Sequence, residues 1–193
     1  MNILSLLKNS EKKYLIYRKL NKNETLFHEG DRCEDIGIVV SGSLRIVSYL
    51  ESGNEVIYNI LQEGMIFGNN LVFSSEPYYK GDIVAQSETQ IALINKDDLL
   101  KFLGTNRDFL LEYLKIQSDF GKSLNNRIKL LSMNSARERF LFYLHDHHNV
   151  ITYQSITQLA GQLYLSREVL SRLIGSLCRE KVIIKTNKTI RLL

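Results

Sequence analysis

The sequence predicts an α+β protein in three successive parts: an antiparallel β-roll, one long helix, and a small basic unit of helices closed by a hairpin. Three observations carry this. From Glu24 to Ile94 short runs rich in β-branched residues are broken by turn signals such as Ser41-Gly42 and Ser52-Gly53-Asn54, about every ten residues. After Asn95 the pattern turns helical and is almost free of β signals. The last sixty or so residues read as helix, tight turn, helix, hairpin, which sets the expected parts at 1–105, 106–132 and 133–193.

In the first part, "DIGIVVSGSLRIVSYL" places Ile38, Val40, Leu44 and Ile46 on an inward face and Arg45 outward. The short strands suit a closed roll of the jelly-roll or double-stranded β-helix kind, and Pro77 marks an irregular segment from Ser74 to Lys80. In the second part, Leu110, Leu114, Gln117, Gly121, Leu124, Ile128 and Leu131 recur in the four-three spacing of a coiled-coil seam. A polar Gln117 and a small Gly121 fit a close helix pair of fixed register, so this is read as a dimerisation helix.

The third part opens with a helix near Ser135, whose Phe140, Leu141 and Leu144 give it an apolar face. "SITQLAGQL" then starts on Ser155, followed three residues later by Gln158 in the form of a capping box, and ends near Leu163. Tyr164 and Leu165 lead to Ser166, a good N-cap for "REVLSRLIGSL". At about 100° per residue, Arg167, Ser171, Glu168 and Arg172 share one arc of that helix, and Val169, Leu173, Leu177, Leu170 and Ile174 fill the other. Gly175 leaves room for close approach. "KVIIKTNKTIRLL" reads as two strands around Asn187-Lys188, completing the order of a winged helix-turn-helix.

Composition narrows the functions. The chain has 193 residues, 44% of them apolar, and no apolar run near the ~20 residues that a bilayer requires; the charges of "MNILSLLKNSEKK" follow its apolar patch, the reverse of a secretory signal. A cytoplasmic protein with no membrane partner is expected. The net charge of +4 is unevenly placed: residues 133–193 hold nine Lys or Arg against four Asp or Glu, so the remainder, with 16 basic and 17 acidic, is −1. A basic C-terminal unit points to a polyanion. Cys33 and Cys178 match no metal or redox spacing and read as reduced thiols, too few for an iron-sulfur ligand set. His145 and His148 of "HDHH" lie one turn apart, but two residues do not make a metal site. No clustered His and Glu on the strands supports the alternative of a cupin-like enzyme, so no enzymatic activity and no cofactor are expected.

"LAGQLYLSRE" and "SREVLSR" resemble the turn and recognition helix of the CRP/FNR family of bacterial transcription regulators. The glycines Gly30, Gly42, Gly53, Gly64 and Gly68 stand where that family's cyclic-nucleotide-binding β-roll makes its tight turns. The resemblance covers nearly the whole chain and implies a homodimer on a pseudo-palindromic duplex with a TGA-type half-site core, with RNA polymerase as a further partner. It implies base contacts from Arg167, Glu168, Ser171 and Arg172: Arg to guanine O6 and N7, Glu accepting from cytosine N4. Ser155, Thr157, Ser166, Lys185 and Lys188 become candidates for phosphate. Tyr164 departs from the small residue common at this turn.

The cassette "FGNNLVFSSEPYYKGDIVA" departs further. Family members that bind cyclic AMP have a Glu for the ribose hydroxyl where Asn69 stands, and an Arg-Ser or Arg-Thr pair for the phosphate where Tyr79-Lys80 stands. Lys80 lacks the bidentate fork. The expectation is therefore no response to cyclic AMP, with a remaining pocket of Gly68, Asn69, Asn70, Tyr79 and Lys80, joined by Lys122, Ser123 and Asn126 of the long helix. The alternative is a cyclic-nucleotide-responsive regulator with a modified pocket. His28, the roll's sole histidine, reads as a strand-surface residue and not as a haem ligand.

Overall fold

A computed structural model describes residues 3–49 and 55–193, with Tyr58 described by its backbone alone. The turn signal Ser52-Gly53-Asn54, and with it Gly53, lies outside the described residues. The chain separates into two compact units, Met1–Ser118 and Asp119–Leu193.

The first unit begins with a 3-10 turn over Ile3–Leu6 and a short helix α1 (Asn9–Lys12). Eight strands follow: β1 (Ile16–Leu20), β2 (Thr25–Phe27), β3 (Asp35–Ser41), β4 (Ser43–Tyr49), β5 (Glu55–Gln62), β6 (Ile66–Phe67), β7 (Asp82–Ala85) and β8 (Thr89–Asn95). They form two antiparallel sheets, ordered β1-β8-β3-β6 and β2-β7-β4-β5. Ile36, Ile38 and Ile91 of one sheet and Leu44, Ile83 and Ala85 of the other belong to a single buried cluster, so the sheets enclose one core. This is the roll that the short β-branched runs imply. Gly30, Gly42, Gly64 and Gly68 all have positive φ, which explains glycine at these turns.

Strict alternation misplaces two inward residues. The β3–β8 register shifts between Val39 and Ser41, and the β4–β5 register shifts between Ile46 and Val47. On β3 the extra residue is Val40, which is only half-buried, while Ile38 and Val39 before it are fully buried. On the β4–β5 pair the extra residue lies on β5, and β4 itself runs unbroken against β7; Leu44 and Val47 are fully buried there and Ile46 is half-buried. Arg45 faces outward and pairs with Glu55 at 2.8 Å. β1, which the glycine-bounded reading from Glu24 onward omits, is an edge strand with a burial pattern of four exposed residues and one buried one. An edge strand of that kind has no alternation to read.

Asn95 ends β8 and caps helix α2 (Lys96–Thr105), its side chain accepting from the N–H groups of Asp97 and Asp98 at 2.8 and 3.2 Å. Buried Asn106 then caps α3 (Arg107–Leu131) through the N–H of Phe109 at 3.1 Å. Phe109 and Tyr113 bury their rings in the roll's core. Of the seam, Leu114, Leu124, Ile128 and Leu131 are exposed, Ile128 at 65%, while Leu110, Gln117 and Gly121 are half-buried.

The second unit contains α4 (Ala136–Asp146), β9 (Val150–Thr152), α5 (Ile156–Gln162), α6 (Arg167–Arg179), β10 (Ile183–Thr186) and β11 (Thr189–Leu192). Phe140, Leu144, Leu159, Leu170, Leu177 and Ile190 form its core. The expected hairpin is β10–β11, and β9 adds a third strand against β11. Three residues are too few to show a period in sequence, so β9 escaped the reading.

Candidate nucleic-acid interface

Each helix start in the second unit is fixed by a serine. At α4 the capping box is reciprocal: Glu138 N–H donates to Ser135 Oγ at 3.1 Å, and Ser135 N–H donates to Glu138 Oε2 at 3.3 Å. At α5 it is one-sided, Ser155 Oγ accepting from Gln158 N–H at 3.1 Å. Ser166 Oγ accepts from Val169 N–H at 3.2 Å and starts α6. A capping hydroxyl keeps its own proton, so Ser155 and Ser166, both exposed, can still donate to a phosphate. Thr157 is exposed on the first turn of α5.

The link between α5 and α6 reverses direction at Tyr164, whose φ of +54° is left-handed. Such a conformation is unfavourable for a non-glycine residue. The chain stabilises it from both sides: Leu165 N–H donates to Ala160 O at 3.0 Å, and the Arg127 guanidinium stands 5.1 Å from the ring's centroid. The departure at Tyr164 thus has a local compensation.

α6 buries Leu170, Ile174 and Leu177, half-buries Val169 and Leu173, and exposes Arg167, Glu168, Ser171 and Arg172. The first three of these exposed residues have no side-chain hydrogen bond among the described residues, and Arg172 uses only its Nε, at 3.5 Å to Glu168 O. Most of its donors remain available. Gly175 has open space where a Cβ would stand, and it lines an open groove with Ala136, Arg172, Ser176 and Arg179. Arg179 on this groove was not among the residues that the sequence singled out; its place in the last turn of α6 was the available signal.

The hairpin exposes Lys185 on β10 and Lys188 in the connection after Asn187. Lys188 is held by its backbone, its carbonyl accepting from Tyr153 N–H at 3.0 Å. Not every cation is free. Arg137 Nη1 lies 2.6 Å from Glu180 Oε2, and Ser176 Oγ donates to Glu180 Oε1 at 2.8 Å; the hydrogen bond from Arg137 is the first cause holding the Glu180 carboxyl below its ordinary value. In "HDHH", the His147 ring packs against Tyr143 with centroids 4.1 Å apart and a tilt of 31°, and no metal-binding group of three or more His, Cys, Asp or Glu occurs among the described residues.

The roll treats its candidate residues differently. Gly68 takes φ +74°, and a Cβ there would meet Asp35 O at 2.7 Å. Asn69 is buried, its Nδ2 donating to Gln117 Oε1 at 2.5 Å; its carbonyl accepts from Gln117 Nε2 at 2.8 Å and from Tyr113 Oη at 3.2 Å. Tyr79 is also buried, stacked on Phe27 at 4.8 Å, with its hydroxyl lacking a hydrogen-bond partner among the described residues. The Asn69 amide pairs with a helix of its own chain, and the Tyr79 phenol packs into the aromatic core. Asn70 and Lys80 are exposed. Lys122 and Ser123 are exposed and Asn126 is half-buried, donating to Asp146 Oδ2 at 3.0 Å; all three belong to the second unit, whereas Gly68, Asn69, Asn70, Tyr79 and Lys80 belong to the first. Burial raises the Cys33 thiol, which keeps it protonated. His28 is exposed, with Nδ1 3.7 Å from Asp82 Oδ1.

Residues 17–106 match the family model described as a cyclic nucleotide-binding domain. The chain is 25% identical over 177 residues to the Anaerobic regulatory protein of Bacillus subtilis, covering 86% of this chain and 74% of that one. It is 26% identical over 188 residues to the cAMP-activated global transcriptional regulator CRP of Pasteurella multocida, covering 89% and 87%. In fold it is similar to a mutant of CooA from Carboxydothermus hydrogenoformans, with a TM-score of 0.70 at 19% identity over 100% of this chain and 91% of that one. The Catabolite Activator Protein of Thermus thermophilus gives a TM-score of 0.57 at 21% identity, covering 100% and 94%.

Proposed function

We propose that this chain is a transcription regulator of the CRP/FNR type, a homodimer that binds a pseudo-palindromic duplex and does not respond to cyclic AMP. One observation carries the reading: α6 follows a tight turn, buries its aliphatic arc, and leaves Arg167, Glu168, Ser171 and Arg172 exposed with most of their donors and acceptors unspent. These side chains read base edges in a TGA-type half-site. Ser155, Thr157, Ser166, Lys185 and Lys188 hold the backbone and fix the register. The exposed apolar residues of α3 support pairing with a second copy. The regulator is cytoplasmic and has no catalytic activity, and RNA polymerase is its further partner. No helix among the described residues is long and apolar enough to cross a membrane.

The relatives named as cAMP-activated raise the question of whether this roll suits the same nucleotide. Its residues do not fit well. The Asn69 amide is spent on Gln117, the Tyr79 phenol lies in the core, and the exposed cation beside them is Lys80. Two missing charge-assisted hydrogen bonds, at about 1.5–3 kcal/mol each, lower affinity by at least two orders of magnitude by the usual conversion, about 1.4 kcal/mol per decade. Lys80 is also what favours the second reading, a cyclic-nucleotide-responsive regulator with an altered pocket.

Fluorescence anisotropy on duplexes with two half-sites about 34 Å apart tests both readings. Binding to the palindrome at least ~10³-fold tighter than to random duplex is expected, unchanged by cyclic AMP. Equal affinity for the two duplexes overturns the DNA-binding assignment. Saturable micromolar binding of cyclic AMP by calorimetry, with tighter DNA binding alongside, overturns the second part alone.

A further inference from the structure

The hydrogen bonds around Asn69 assign a role to three residues that the proposed function leaves unused. We propose that Asn69, Tyr113 and Gln117 form a latch that fixes the rotation on the roll of the first part of α3, through Ser118, and so fixes which side of that segment meets a second copy of the chain. The proposal rests on the homodimer reading. All three residues lie in the first unit.

The geometry is specific. The Gln117 amide is used at both ends, accepting from Asn69 Nδ2 at 2.5 Å and donating to Asn69 O at 2.8 Å, so its plane has one orientation. Tyr113, one turn earlier, donates to the same carbonyl at 3.2 Å from a buried position. The receiving loop is held in place: Gly68 O accepts from the N–H groups of Leu71 and Val72 at 2.9 Å each, and a Cβ at Gly68 would meet Asp35 O at 2.7 Å. A held acceptor and a doubly held amide define a direction.

Apolar packing alone would not. Phe109 and Tyr113 bury their rings in the core, but hydrophobic contact is non-directional and tolerates rotation. A buried carbonyl or amide that loses its partner is penalised for its full desolvation, so turning α3 away from Asn69 is opposed at three bonds. Leu110 and Leu114 of the seam lie about 60° and 100° around the helix from Tyr113. Leu114 is 51% exposed and Leu110 is half-buried. Slippage by one residue would turn this stripe by about 100°, carrying Leu114 out of the seam. Gln117, placed in the seam by its spacing, thus acts from the seam's edge: it orients the stripe and does not itself pair across it.

The test uses the full chain, with dimer dissociation measured by sedimentation and backbone amide exchange measured over residues 109–117. Gln117→Leu removes both amide bonds at similar volume; it is expected to raise the dimer Kd about tenfold and to speed exchange, with the melting profile of the roll retained. Gln117→Glu keeps the acceptor for Asn69 Nδ2 and recovers part of the loss. Asn69→Ala combined with Gln117→Leu is no worse than Gln117→Leu alone, because the two groups share one interaction. A dimer constant for Gln117→Leu within about twofold of the parent's, or losses that add in the double variant, overturns the latch. A parent chain that sediments as a monomer overturns the homodimer reading itself, before any variant is compared.

Discussion

The two units treat polar side chains in opposite ways. On α6 and the hairpin, Arg167, Glu168, Ser171, Arg172, Lys185 and Lys188 are exposed, and their charges and donors are largely unspent. In the roll, Asn69 pairs with the chain's own helix and Tyr79 packs on Phe27. Groups left in water retain their capacity for a partner still to arrive; groups paired internally have spent theirs on the fold. The contrast separates a polar face of α6 that is open to solvent from polar groups that the roll has already paired or packed.

The largest effect that can test this division comes from the second unit's core. Phe140 is fully buried among Leu144, Leu159 and Leu170, so Phe140→Ala is expected to destabilise that unit by about 3–5 kcal/mol. Calorimetry should show its transition falling while that of the roll stays in place, and palindrome binding should be lost with it. A single transition that moves as a whole would mean that the two units do not unfold separately, and would break the comparison at its root.

A smaller effect separates cations within the comparison. Arg172→Ala is expected to lose about 1–3 kcal/mol of palindrome binding and to relax preference at one base pair per half-site. Lys185→Ala should weaken specific and random duplexes alike and reduce the slope of log affinity against log salt by about 0.9 for each phosphate left without its cation. Lys80→Ala, on the roll, should change neither quantity. Anisotropy on matched and scrambled duplexes across a salt series distinguishes the three. Equal losses on both duplexes for Arg172→Ala would remove it from the base-reading set.

Much of this was legible in the sequence because the informative residues obey local rules. Ser135, Ser155 and Ser166 start their helices where cap chemistry puts them, and the arcs of α6 follow from 100° per residue. What was not legible depends on contacts between distant segments. Val40 loses its expected burial to a bulge in its pairing with β8, and β9 exists because β11 offers it an edge. Asn69 and Gln117 are 48 positions apart, so their pairing has no local signature, and Gln117 was assigned to the seam on spacing alone. The resemblance supplied the position of Tyr79 but not the neighbouring Phe27 ring on which it stacks.

The smallest effect concerns a cation that the second unit does not leave free. Arg137 and Ser176 both bond the Glu180 carboxylate at the end of α6, which holds that carboxyl below its ordinary value. The unfolded chain then binds the proton more readily than the folded one, so stability rises with pH between the lowered folded value and the ordinary unfolded value. The contribution is fully present above the unfolded value and is lost as pH falls through the folded one. Glu180→Gln removes the titration, so the parent should be the more stable protein at neutral pH, and the difference should vanish in acid. Both side chains are substantially exposed, at 45% and 40%, and salt screens such a pair, so the difference should be slight and should shrink further at high ionic strength. Urea unfolding at neutral and acid pH, at low and high salt, measures it. A difference that persists unchanged into acid would show that Glu180 acts through packing rather than charge, and would leave Arg137 as free for a polyanion as Arg172.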